Sequence, residues 1–306
     1  MPAPWPSASF ADWSETCETL HAHTQVLGKL AAVLAPPEPQ LQHAALRLTA
    51  RGWETAPLPA PDGSGVFGVA LDLRSHLAIV EHADGRRSAV PLTPDRPVAE
   101  VTEGVLAAVR ELAGPVEFDP TPQEVAWTAP LDADTEHARY DADAVGAYFG
   151  AAGRAALALA AFRAPFRGRS TPVNAWWGSF DLAVNLFSGA PAAPPSEDFI
   201  MRNAMDSQEV AAGWWPGDPR YPRAAFYVYA HPAPEGFAAA ELSPSAARWE
   251  GELGEYVLDW DDVIAAPDPL AYALEFLQSA FDHACAVCSW DPALAATAKG
   301  DPPPLK

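Results

Sequence analysis

Cysteine is scarce in this chain. Cys17, Cys285 and Cys288 are the three in 306 residues, an odd number placed towards the two ends. A disulfide framework needs closely spaced pairs, so this usage excludes a small stapled scaffold and fits a reducing compartment. Positive charge is scarce too: 19 Lys and Arg stand against 40 Asp and Glu, for a formal net charge of −21. Phosphate backbones and anionic lipid surfaces are gripped by clustered Lys and Arg. Neither nucleic acid nor a membrane is therefore expected as a partner. No apolar run of about 18 residues occurs, and the opening MPAPWPSASFADW has neither a basic nor an apolar signal region. The expectation is a soluble, cytoplasmic protein.

Catalytic signatures are missing as well. The chain has no GxSxG elbow, no Walker loop, no GxGxxG after a strand and no HExxH helix. Among candidate metal ligands, His21 and His23 point apart on a helix, and His283, Cys285 and Cys288 give one aligned pair. No metal site is predicted, and no cofactor is indicated.

What is abundant is tryptophan, 11 residues, with two Trp pairs in PVNAWWGSFDLAVNLF (172–187) and GWWPGD (213–218). From Ser179 the period of two puts Ser179, Asp181 and Asn185 on one strand face and Phe180, Leu182, Val184 and Leu186 on the other. The same alternation puts Tyr227, Tyr229 and His231 on one face of a 225–231 strand, opposite Phe226, Val228 and Ala230. If these strands lie side by side, two polar rows meet and can hold a small ligand. A solvent-facing sheet side is the plain alternative.

Helices are expected from Asp12 or Ser14 to Pro36, over 98–112, 140–162 and 269–288, with strands over 44–55, 65–73 and 76–82. On the first helix His21, Gln25 and Lys29 step by four and stack three hydrogen-bonding groups along one ridge, either as a ligand grip or as a wet face. The segments 189–196 and 213–222 read as loops, and both tails are expected to fray. The fold class is α+β, mostly antiparallel sheet with packed helices. An N-terminal half (1–115) and a C-terminal half (116–306) carrying the Trp-rich segments are two similar halves or one continuous domain.

Together TLHAHTQVLGKL, LTARGWET, FRGRSTPVNAWWGSFDLAVNLFSG, GWWPGD, AAFYVYAHPAPEGF and the late SWD resemble a bacterial family known only as a domain of unknown function. The resemblance spans nearly the whole chain but brings no established activity. It implies that His21, Gln25, Lys29, Trp177, Gly178, Ser179, Asp181, Trp215, Gly217, Asp218 and Tyr229 belong to a recurrent pattern, and so that the polar rows share a pocket. It also implies departures, because the pattern carries His where this chain has Asn174 and Gln208, and Arg where it has Leu186 and Ala190. Amides do not titrate near neutrality, so a base or metal built on those histidines could not operate here in the same way.

The functional expectation is a metal-independent enzyme acting on a partly aromatic metabolite walled by Trp176, Trp177, Trp214 and Trp215. Asp181 or His231 would move the proton, and Tyr227 or Tyr229 would donate to developing negative charge. His21, Gln25, Lys29, Asn174, Ser179, Asn185 and Gln208 would complete the binding set. The alternatives are a metabolite-binding protein without turnover, and an interaction protein that uses Trp-rich loops.

Overall fold

Apolar residues at steps of three and four dictate the first long helix. Cys17, Leu20, Thr24, Leu27 and Ala31 are all buried on α1 (Ser14–Leu34) in the computed structural model, which describes residues 4–297. Pro36 and Pro37 follow its C-cap, where the missing N–H groups rule out continuation. The expectation of frayed tails falls mostly on residues outside the described range.

Two compact units divide the chain. Among the described residues, the first unit holds 10–149 and 174–181, and the second holds 4–9, 150–173 and 182–297.

In the first unit, β1 (Arg47–Leu48) and β2 (Gly52–Glu54) form a hairpin where the sequence reads one strand, because Thr49 and Arg51 close a turn onto Gly52. With β3 (Leu58–Pro59), β4 (Val66–Asp72), β5 (Leu77–His82) and β6 (Arg87–Pro91) they make an antiparallel sheet in the order β1-β2-β4-β5-β6, with β3 also on β4. Helices α1 and α2 (Val98–Ala113) pack on it. Gly114, at φ 102°, ends α2 in a conformation that suits glycine.

The chain passes between units within α3 (Ala142–Arg163), whose start is capped by Asp141, accepting from the amides of Asp143 and Ala144 at 2.9 and 3.0 Å. By length and composition α3 could cross a membrane, yet Arg154 interrupts it, and Val145, Tyr148, Ala151, Ala155, Leu159 and Phe162 form a buried stripe of the kind a core helix has.

β7 (Asn174–Trp176) lies in the first unit, where Ala175 bridges Leu46. The second unit's sheet runs β8-β9-β10-β12-β11, all antiparallel, from β8 (Asp181–Pro191), β9 (Ser207–Trp215), β10 (Ala225–His231), β11 (Arg248–Glu250) and β12 (Glu255–Asp259). Between β8 and β9 sits α4 (Phe199–Ala204), capped by Asp198. After β12 come α5 (Trp260–Ala265), α6 (Pro269–Val287) and α7 (Pro292–Thr297). Antiparallel register puts Val184, Ala212 and Val228 with Tyr256 on one face. Tyr256 meets His283 of α6 edge-on, so the helix covers this apolar side. The fold is α+β with antiparallel sheets, as the sequence indicates.

Candidate functional site

The polar residues singled out in the sequence fall into two clusters, one in each unit. In the first unit the ridge on α1 does grip something, and what it grips is the chain itself. His21 Nε2 lies 2.9 Å from both the Trp177 and the Gly178 carbonyl oxygens, so this nitrogen carries a proton and donates. The Gln25 amide donates to the Gln123 carbonyl and accepts from the Gln123 amide, each at 2.9 Å. That pair fixes the orientation of the amide. The 3.5 Å approach of Gln25 Nε2 to His21 Nε2 therefore sets donor against donor and is not a bond.

Lys29 holds its ammonium 5.7 Å from the Trp177 ring centre. Burial pushes its pKa down, and the charge of Asp119 opposes that. A Cβ on Gly28 would overlap the Trp177 ring, so glycine is what lets the indole lie flat on the helix. The indole N–H then reaches the Ala44 carbonyl at 3.1 Å.

Phe180 adopts φ 56°, a left-handed conformation that is costly for an aromatic residue. It turns the ring into a stack with His21, Trp53 and Tyr148, at 5.0, 5.2 and 5.2 Å. The strand thus begins at Asp181, not at Ser179, whose exposed hydroxyl donates to Asp181 at 2.6 Å. Asn174 accepts from Arg47 and donates to Gln42 at 2.9 Å, a buried clamp between β1 and β7. Trp176 is half-buried on β7.

In the second unit, the β8 and β10 polar rows share a face, but they are not adjacent. β9 runs between them, and its last three residues, Gly213–Trp215, had read as loop. Ladder pairing aligns Asn185 with Ala211 and Tyr229, and Phe187 with Glu209 and His231. Small residues on the middle strand leave room for neighbouring rings, and a Cβ on Gly213 would strike the Tyr227 phenol. The Tyr227 and Tyr229 rings lie parallel, 6.2 Å apart with 4° between planes, and Trp215 meets Tyr227 at 5.6 Å.

Glu209 is the member of this face that sequence reasoning missed. It is 2% exposed, and burial raises its pKa from 4.5 to about 7. Hydrogen bonds from Asn185 and Tyr229 oppose that rise, the charge of Asp206 adds to it and the charge of Arg169 opposes it. Glu209 Oε2 and Asn185 Oδ1 are buried and accept no hydrogen bond from the protein. The alternation Glu209, Ala211, Gly213, Trp215 is the signal that could have found it, had the segment been read as strand.

Other expected site residues take different roles. Trp214 is 0% exposed, on the face opposite Tyr227, and packs at 5.5 Å on Trp260, so it is core and not a ligand wall. Trp177 is likewise occupied by Gly28 and Ala44. His231 Nε2 donates to the Ala193 carbonyl at 3.1 Å, which removes that nitrogen as a base in this arrangement. Gln208 accepts from Ser188 at 3.0 Å. In GWWPGD, Asp218 accepts from the amides of Arg220 and Tyr221 at 2.7 and 2.9 Å, holding a turn.

A groove of about 430 Å³ opens on the first unit's sheet, lined in part by Arg51, Glu54, Glu81 and His82. Among the described residues no three His, Cys, Asp or Glu side chains gather in a metal-holding set. A family model described as a family of unknown function (DUF5996) matches residues 5–297. No curated protein and no solved structure matches the chain.

Proposed function

We propose, from the premise that this chain belongs to the DUF5996 family, that it is a soluble small-molecule enzyme of the bacterial cytoplasm. Its site is the polar face of the second unit's sheet, and its substrate is a partly aromatic metabolite. Glu209 supports this reading most directly. A buried carboxyl that half-ionises near neutrality, with one oxygen unbonded, is poised to take or give a proton at physiological pH. Tyr229 and Asn185 orient that carboxyl, and Tyr227 and Trp215 supply the aromatic wall. The reaction class is proton transfer to or from carbon, nitrogen or oxygen of the bound molecule, in place of the Asp181 or His231 chemistry expected from sequence.

The test is a thermal-shift screen of aromatic metabolites, followed by mass spectrometry of each stabilising compound for turnover. Turnover that falls at least about a hundredfold in a folded Glu209→Gln variant supports general acid–base work by this residue. Turnover unchanged in that variant overturns the assignment. A compound that binds through Glu209 without ever turning over makes the protein a metabolite carrier.

A further inference from the structure

We infer that the ligand of this face is a small planar organic cation bearing N–H donors: an amidinium or a guanidinium. The inference rests on the site proposed above and names its ligand class. Asn185 gives its amide N–H to Glu209, which leaves one further oxygen on each member of this bonded pair, Asn185 Oδ1 and Glu209 Oε2, both buried and both without a donor. Two acceptors carried by one hydrogen-bonded pair call for two N–H groups on one frame, and the fork of an amidinium or guanidinium presents them. Leaving such buried acceptors unmade is costly, so a ligand that satisfies both gains from each.

The surroundings suit a flat cation. Tyr227 and Tyr229 offer parallel ring faces beside Glu209, and ring faces attract cations. The net charge of −21 draws cations towards the protein and repels anions.

Tyr229, a titratable group on β10, bonds to Glu209. Asp206, just before β9, adds negative charge, and His231 on β10 is its ladder partner. Arg169, from the segment after α3, opposes it with positive charge. Its guanidinium sits 4.0 Å from the Phe187 ring centre, and its charge lowers the Glu209 pKa. A cation needs Glu209 ionised, so binding takes the carboxyl proton off below about pH 7 and tightens as pH rises through that value.

The experiment is calorimetric titration of the full chain with benzamidinium, benzamide and benzoate, near pH 6 and near pH 8. Benzamidinium is expected to bind about tenfold tighter at the higher pH, and at least about tenfold tighter than either counterpart there. Glu209→Gln should abolish that binding. Asn185→Ala, which keeps the carboxyl, should weaken it about tenfold and guards against a Gln variant that fails to fold. Benzoate or benzamide preferred, with Glu209→Gln removing their binding, overturns the cation and keeps the face as the site. Benzamidinium binding untouched by both variants overturns both. No binding by any of the three overturns the inference.

Discussion

The two polar clusters differ in what their hydrogen bonds are used for. On α1, His21 and Gln25 spend theirs on the backbone at Trp177, Gly178 and Gln123, and Lys29 rests over an indole. On the second unit's sheet, Asn185 and Glu209 bond to one another and still leave two buried oxygens unmatched. A ridge of unlike polar residues can be a recurrent feature because it positions chain segments. A cluster that remains incomplete inside the protein is the better candidate for meeting something from outside.

The largest effects should come from the glycines that make room in each region. Gly28→Ala puts a Cβ into the Trp177 ring, which is held by the Ala44 carbonyl. Helix propensity alone would favour Ala by about 1 kcal/mol. A measured loss of about 3 kcal/mol or more in urea unfolding is therefore a packing effect and marks the ridge as structural. Gly213→Ala meets the far end of the Tyr227 side chain, which can swing away. About 1–2 kcal/mol is expected there, with ligand binding lost. Equal costs at the two glycines would erase the contrast.

Titration sharpens the comparison, because the two units carry buried groups of opposite sign. Glu209 ionises at about 7 in the folded protein and at 4.5 in the unfolded chain. Between those values the native state holds more protons, so the stability contribution is full below pH 4.5 and is lost as pH rises through 7. It amounts to about 3 kcal/mol. Glu209→Gln should flatten this decline and leave the variant more stable than the parent near pH 8.

His23, on α1, is buried with Nδ1 unbonded, and burial lowers its pKa from 6.5 to about 4, against the pull of Asp134. Here the unfolded chain binds the proton first. Stability is present above pH 6.5 and is lost as pH falls through 4, again by about 3 kcal/mol. Unfolding curves of His23→Gln and Glu209→Gln against pH should therefore lose opposite slopes. The same slope lost in both would contradict the assigned causes.

How far the sequence showed these regions depended on how strongly each element declares itself. The Ala225–His231 strand was read to the residue, and the Pro269–Val287 helix to within one, because period and end signals agree there. Tyr227, Tyr229, His231 and Asn185 were on a shared face by the period of two. β9 was hidden, since its Ala211-Ala212-Gly213 run has little strand propensity and is held by its neighbours on both sides. With β9 went Glu209, and with it the fact that Trp214 and Trp215 must face opposite ways. The ridge was legible as a ridge, but its partners lie about a hundred or more residues away in sequence, beyond anything that spacing can reveal.

Smaller effects should follow from the bonds themselves. His21→Ala removes two donations to half-buried carbonyls and should cost about 1–2 kcal/mol, without altering benzamidinium binding. Loss of binding in a variant of unchanged stability would give the ridge a role beyond holding the chain.

The smallest expected change concerns GWWPGD, whose place in a recurrent pattern invites a catalytic reading of Asp218. Its carboxylate instead accepts two backbone amides within its own turn and pairs with Arg220 at 2.8 Å, an exposed partner. Gly217, at φ 96°, supplies the left-handed step that brings the turn against the Arg223 backbone. Exposed ion pairs contribute little and turn-capping bonds about 1 kcal/mol, so Asp218→Asn, which keeps one acceptor oxygen, should shift stability by less than about 1 kcal/mol. Turnover and probe affinity should stay at parent levels if Asp218 acts only in the turn. A folded Asp218→Asn protein with its turnover gone would move the active groups away from Glu209 and towards this turn.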